Sequence, residues 1–278
     1  MTDKEFNIDN LKKNGFFIIK NLLNEKELLN INKSFDKKKN NSKYNEINDK
    51  NCWEYLSNQK LNENLKKILG DKIYYLHDLN LDEVLIKKKE YSWHRDSPCR
   101  RTGIGDDWHP RNSYNVLTTI TYICSSQETG STLNVIPKSH LLDYKKTFSN
   151  ILRFLHWKLK KSKFHLIKKI IEKINGKNLN FETGDCIILY ANLYHMGHIF
   201  DNCEKKRKLI VSRFGGRGKH TENYVNYILK HRDDSKDKYE NKNIKMKDEF
   251  FQYLFEKKIF FPLPKEKKKI HGVFAKLK

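Results

Sequence analysis

The stretch NVLTTITYICSSQETGSTLNVIP, residues 115–137, decides the fold class. Two runs rich in β-branched and aromatic residues, 115–123 and 131–137, flank a polar segment that ends at Gly130, and Pro137 closes the second run. Short, β-rich and bounded by turn formers, they read as strands. The same pattern recurs in EVLIKKK (83–89), CIILY (186–190) and RKLIVSRF (207–214). Several short strands broken by turns specify a mainly β core of sandwich or barrel type.

Working outward, LKKNGFFIIKNLLNEKELLNINKSFDKK (11–38) predicts a short strand, Phe16 to Lys20. An amphipathic helix follows, with Leu23, Leu28, Leu29 and Ile31 among polar residues. Residues 37–50 are charged and Asn-rich, as in a solvated loop or helix end. The core is expected over 73–216, interrupted at about 143–178 by a helical insertion in which Ile167, Ile170, Ile171 and Ile174 share a face and Gly176 supplies a stop. The extension 217–278 is Lys-rich, yet EFFQYLFEKKIFF places Phe250, Phe251, Leu254 and Phe255 for a docked helix. With 1–72 as an N-terminal strand and helices, the 278 residues read as one domain, mainly β with flanking helices.

The net charge of +22 comes from 56 Lys and Arg against 34 Asp and Glu, and only nine of the basic residues are Arg. A diffuse Lys surplus attracts phosphates without reading them. No zinc-finger spacing or Gly-aromatic RNA-binding signature accompanies it, so no specific nucleic-acid partner is expected. No apolar run reaches the 18 residues of a transmembrane segment. The start MTDKEFNIDN lacks the basic and apolar blocks of a signal peptide, so a cytoplasmic address is expected. Cys52, Cys99, Cys124, Cys186 and Cys203 are odd in number with no CxxC pair, as expected of reduced thiols.

Chemistry concentrates in YSWHRDS (91–97). In extended chain, residues two apart share a face, so His94 and Asp96 reach one point while Arg95 is directed away. A third ligand must come from TGDCIILYANLYHMGH (183–198), as His195 or His198. Two imidazoles and a carboxylate form the facial triad of non-haem Fe(II) oxygenases, with open positions for substrate-derived ligands and O2. Fe(II), the Asp96 carboxylate and a dianionic 2-oxoacid together leave one negative charge, which a buried guanidinium neutralises. Arg207 opens the last strand and offers a planar fork for a carboxylate, with Arg213 as competitor.

The ordered set of His94-Arg-Asp96, Gly130-Ser-Thr-Leu-Asn-Val-Ile-Pro137-Lys-Ser-His140, Gly184-Asp185, His195-Met-Gly197 and Arg207, with the opening NGFFIIKNLLNEKEL, resembles the phytanoyl-CoA dioxygenase family of Fe(II)/2-oxoglutarate-dependent oxygenases. The resemblance runs from about residue 10 to 216. It implies a double-stranded β-helix (jelly-roll, cupin-like) fold. His94, Asp96 and His195 are then the iron ligands, and Arg207 anchors the 2-oxoglutarate C5 carboxylate. The implied reaction uses Fe(II), 2-oxoglutarate and O2, releases succinate and CO2, and attacks an unactivated C–H bond. Related halogenases lack the carboxylate, so Asp96 points to hydroxylation. Two departures stand out. Arg207 follows His195 by twelve residues, one more than is usual in the family, and Lys138 stands where Gly is common.

Seven of the nine arginines flank this constellation: 95, 100, 101 and 111 on one side, 207, 213 and 217 on the other. They suggest a small-molecule or carrier-linked substrate that is anionic, with Arg100 and Arg101 as contacts and Trp108, Trp93 and Tyr114 as walls. Internal pairing with Asp106 and Asp107 is the alternative. His109 and His140 lack partners at ligand spacing and read as structural or surface. Competing functions are a cupin-like Zn or Mn protein, a non-catalytic polyanion-binding jelly roll and a nucleic-acid demethylase, the last disfavoured by the missing base-reading motif. The sequence specifies neither oligomeric state nor the oxidised carbon.

Overall fold

The computed structural model describes residues 8–42, 44–84, 93–96, 115–141, 176–199, 206–231 and 244–260. Helix α1 (Ile8–Asn14) leads into β1 (Phe16–Ile19), followed by α2 (Glu25–Asn40), α3 (Lys50–Leu56) and α4 (Gln59–Leu69). The core strands are β2 (Ile73–Val84), β3 (Val116–Tyr122), β4 (Ser131–Val135), β5 (Lys177–Leu179), β6 (Cys186–Tyr190), β7 (His195–Ile199) and β8 (Arg207–Gly215). One turn of helix, α5 (Ser126–Thr129), joins β3 to β4. Helices α6 (Lys219–His231) and α7 (Ile244–Glu256) and the short β9 (Ile259–Phe260) complete the chain.

The strands form two sheets, six-stranded in the order β1-β6-β3-β8-β2-β9 and three-stranded in the order β5-β4-β7. Period-two alternation explains how they face each other. From the large sheet, Phe16, Ile120, Tyr122, Ile187, Leu189 and Leu209 pack on Leu133, Val135 and Leu179 of the small one. The intervening residues, among them Cys186, Ile188, Tyr190, Ile210 and Phe214, turn outward to a second core with α2, α3, α4 and α7. Strand β6 is buried at all five positions because both its faces are covered, which is why CIILY reads as a continuous apolar run. This is the jelly roll, with helices on one face.

Several expectations are corrected in detail. The strand before the HxD segment is β2, Ile73–Val84, which begins ten residues earlier than the expected 83–89 segment and includes its first two residues; residues 85–92 lie outside the described residues. Helix α2 buries Ile31, Ser34 and Phe35, whereas Leu29 is 59% exposed and Leu23 precedes the N-cap Asn24. A capping box between Asn24 and Glu27 starts the helix at Glu25, two residues after the apolar pattern begins. The expected insertion overlaps β5, whose Leu133↔Leu179 pairing makes 177–179 part of the core; residues 142–175 lie outside the described residues. Phe250, Phe251 and Leu254 dock α7 as expected, with Phe255 left at the edge.

Two glycines join the N-terminal segment to the site. Gly15 has φ +88°, and a Cβ there would lie 2.5 Å from His140 Nδ1. Gly184, at φ +87°, would place a Cβ 2.8 Å from the Leu23 carbonyl, and its own carbonyl accepts from Leu22 N at 2.8 Å. The adjoining Asp185 is fully buried and accepts from Lys20 Nζ (2.6 Å) and from the backbone amides of Asn21 and Glu182. The Gly184-Asp185 turn therefore ties β1 to β6, the strand that leads to His195. Lys138 takes a left-handed φ of +67°, which a glycine would adopt without steric cost.

Among the described residues, no helix is long and apolar enough to cross a membrane. Cys52, Cys124 and Cys186 are free thiols; Cys99 and Cys203 lie outside the described residues.

Candidate metal centre

Chain pairing at the backbone level creates the site. His94 forms an antiparallel bridge with His195, each amide donating to the other's carbonyl at 3.0 Å, and Asp96 N donates to the Ala191 carbonyl at 2.7 Å. The HxD segment is thus held against the entry of β7 rather than hanging from a loop. His94 Nε2 lies 3.9 Å from Asp96 Oδ1, and His195 Nε2 lies 3.8 Å from Asp96 Oδ2. One donor atom from each of the three residues falls within 4.8 Å of the other two, an arrangement suited to a single metal ion.

The register puts the two distal histidines on different faces of the small sheet. His195 pairs with Val135 and Gly197 with Leu133, both inward-facing positions, so His195 points into the sandwich. His198 pairs with Thr132 and points to the other face, because an odd offset along a strand reverses the side. His195 Nδ1 is 3.1 Å from the Leu193 carbonyl. A carbonyl only accepts, so Nδ1 carries the proton and Nε2 keeps its lone pair toward Asp96.

The electrostatics keep the donors ready for a cation. Burial pushes His195 down to about 4, with the neighbouring His94 acting in the same direction, so the imidazole is neutral at pH 7. Burial alone would raise the Asp96 carboxyl. Arg213 first, then His195 and His94, outweigh it and hold Asp96 well below the usual carboxylate range. Arg213 Nη2 lies 3.0 Å from Asp96 Oδ2, and Thr118 Oγ1 donates to the same oxygen at 2.9 Å. Arg213 also pairs with the fully buried Asp78.

The remaining sequence candidates separate cleanly. Arg207 is buried as the first residue of β8. Its neighbour Lys208 reaches outward to Asn32 of α2, so Arg207 shares the inner face with Leu209 and Arg213. Arg213 lies between Asp96 and Asp78. Arg95 points away as expected, donating to the Ser139 carbonyl at 3.2 Å and covering the Tyr194 ring at 3.8 Å. Trp93 is not a pocket wall: it packs with Ile136 and Met196 on the far face of the small sheet. Arg100, Arg101, Trp108, His109, Arg111 and Tyr114 lie outside the described residues.

His140 is structural, as its sequence context suggests. It stacks on Tyr190 with ring centroids 5.0 Å apart, and its Nε2 is 2.8 Å from the Lys12 carbonyl. Burial pushes its pKa down to about 4. The unfolded chain, with a histidine near 6.5, therefore binds this proton first as pH falls. Stability is complete above about pH 6.5 and falls by up to about 3 kcal/mol as pH drops to 4. Urea unfolding of the metal-free chain at pH 7 and pH 4.5 should show this loss, and His140→Gln should flatten it to the part contributed by His195.

Sequence reasoning missed Asp78 and Thr118. The available signal for Asp78 was an acidic residue inside the apolar stretch IYYLHDLNL (73–81), because a buried carboxylate requires a partner. Thr118 carries no such signal among its threonine neighbours.

The family model described as phytanoyl-CoA dioxygenase (PhyH) matches residues 30–199, which include all three triad residues but not Arg207. Among solved structures, the chain is similar to the non-heme alpha-ketoglutarate-dependent carbocyclase SnoK from nogalamycin biosynthesis, at 11% identity and TM-score 0.55 over 77% of this chain and 85% of that one. It is also similar to HygX from Streptomyces hygroscopicus with iron bound, at 13% identity and TM-score 0.55 over 75% of this chain and 85% of that one. The epimerase SnoN from nogalamycin biosynthesis gives 10% identity and TM-score 0.54 over 75% and 81%. At such identities the likeness is one of fold. No curated protein matches the chain in sequence. With well over half of its length matched by that family model, the chain belongs to the phytanoyl-CoA dioxygenase family.

Proposed function

We propose that this chain is an Fe(II)- and 2-oxoglutarate-dependent dioxygenase that hydroxylates an unactivated C–H bond of a small-molecule substrate. The observation that carries the reading is the convergence of His94, Asp96 and His195 at the mouth of the sandwich. Two imidazole nitrogens and a carboxylate oxygen suit a ferrous ion and leave half of an octahedron open. When bound, iron with 2-oxoglutarate and O2 supplies the oxidising power, with succinate and CO2 as co-products.

The protein's own residues do the rest. Arg207, buried on the inner face of β8, is the guanidinium for the distal carboxylate of 2-oxoglutarate. Asp78 and Arg213 cancel each other's charge, so Asp96, Arg207, a ferrous ion and dianionic 2-oxoglutarate together sum to neutrality. The inner faces of β3, β6 and β8 exclude water with Ile120, Ile187, Leu189 and Leu209. Access lies on the His94 side, whose imidazole is 42% exposed against 5% for His195. An anionic or carrier-linked substrate rests on fewer arginines than their clustering suggests, because Arg95 and Arg213 have internal partners. Arg100 and Arg101 remain its candidate contacts.

Anaerobic addition of Fe(II) and 2-oxoglutarate to the purified chain should produce a visible metal-to-ligand charge-transfer band. Air should then discharge the band with release of succinate. A chain that binds Fe(II) yet gives neither would instead be a metal-binding jelly roll without 2-oxoacid chemistry.

A further inference from the structure

We infer that Arg213 and Thr118 are positioning residues that hold Asp96 to its metal through one oxygen, with Asp78 fixing Arg213 from the neighbouring strand. The inference rests on the ferrous reading of the triad and goes beyond it, by assigning roles to three side chains outside the ligand set.

The geometry begins with an irregularity in β2. Tyr75 pairs with Phe214 and Leu79 with Ser212, so three residues, Leu76 to Asp78, stand opposite the single Arg213. A bulge of this kind re-aims a side chain. Here it delivers the Asp78 carboxylate to Arg213, while Asn80 Nδ2 donates to the other Asp78 oxygen at 2.7 Å. Asp78 is fully buried and the Arg213 side chain is nearly so. The guanidinium spends Nη1 on Asp78 and turns Nη2 to Asp96 Oδ2 at 3.0 Å. Thr118, paired with Arg213 across β3 and β8, adds its hydroxyl to Oδ2 at 2.9 Å. Each carboxylate oxygen faces one imidazole, Oδ1 that of His94 at 3.9 Å and Oδ2 that of His195 at 3.8 Å, but both outer donors engage Oδ2.

The coordination count gives this asymmetry its consequence. Three protein donors leave three of six octahedral positions, which a two-point 2-oxoacid and O2 would fill. A carboxylate that chelated through both oxygens would take one of those three. Two hydrogen bonds, one of them charge-assisted, commit the Oδ2 lone pairs and oppose that swing. A point charge lacks the planar fork that spans Asp78 and Asp96 together, so lysine is no substitute for Arg213.

The test uses Co(II) as probe on the metal-free full-length chain, comparing wild type with Arg213→Lys and Thr118→Val. Outer partners of metal ligands are worth about 10- to 100-fold in affinity. Arg213→Lys should raise the Co(II) Kd within that range and alter the visible d–d bands through a changed carboxylate mode. Thr118→Val, which is nearly isosteric and changes no charge, should shift both in the same direction by a smaller factor. It keeps the test decisive if Arg213→Lys does not fold. Folded variants with wild-type Kd and bands, even at lowered Tm, would make these residues merely structural and overturn the inference alone. Wild type that binds no Co(II), or binds it equally well as His94→Ala, would overturn the triad itself.

Discussion

His94→Ala is expected to eliminate the charge-transfer band of the Fe(II) and 2-oxoglutarate complex and to weaken Fe(II) binding at least about 100-fold, while the chain stays folded. Four-ligand structural zinc sites supply about 10–16 kcal/mol, so each ligand is worth about 3 kcal/mol, or two orders of magnitude. His94 is the cleanest position for the measurement. Its half-exposed imidazole contributes little packing, and its bridge to His195 is made by backbone atoms that alanine retains. Asp96→Ala should have the same effect on iron, with Arg213 still neutralised by Asp78. His195→Ala removes a buried ring and should lower Tm as well. Isothermal titration and the anaerobic spectrum read the first effect, and thermal unfolding reads the second. A His94→Ala protein with wild-type iron affinity would remove the basis of the proposed function.

Arg207→Gln should raise the 2-oxoglutarate requirement by about 30- to 150-fold and leave Fe(II) affinity near wild type. Losing one member of a buried, bidentate charge pair costs about 2–3 kcal/mol. The contrast with Arg213→Lys is the informative part. The two arginines lie on one face of one strand, six residues apart, and the proposed function assigns one to the co-substrate and the other to the metal ligand. Titrating the charge-transfer band with 2-oxoglutarate at saturating Fe(II) separates them. An Arg207→Gln protein with unchanged 2-oxoglutarate affinity would mean that another cation does the anchoring.

The chain displays its strands openly because burial on two faces imposes a simple code. CIILY is apolar throughout since β6 lies between helices and the small sheet, and the HxD pair follows from the two-residue period of extended chain. What depends on pairing between distant segments is not visible in the same way. His195 and His198 are equivalent as residues; alternation puts them on opposite faces, and only the register with Val135 and Thr132 shows which of the two faces inward. Arg207 and Arg213 share a face, so alternation cannot distinguish them, and the bulge that aims Asp78 at Arg213 has no signature in the sequence. Leu29 belongs to the same apolar run, but the buried stripe of α2 is Leu28, Ile31 and Phe35, and Leu29 lies about 100° from Leu28 around the helix, in water. Trp93 looks like a wall when adjacency to His94 is all that is known, and it is core on the far face once the strand direction is fixed.

The paired amides of His94 and His195 carry a thermodynamic consequence. Two of the three donors are spaced by main-chain hydrogen bonds, so the cradle is assembled before any cation arrives and its ordering is already included in the folding of the polypeptide. Occupancy then raises the unfolding free energy only by mass action, growing with the logarithm of the free ion concentration. A chelator should strip such a protein to an intact, reloadable shell instead of unfolding it.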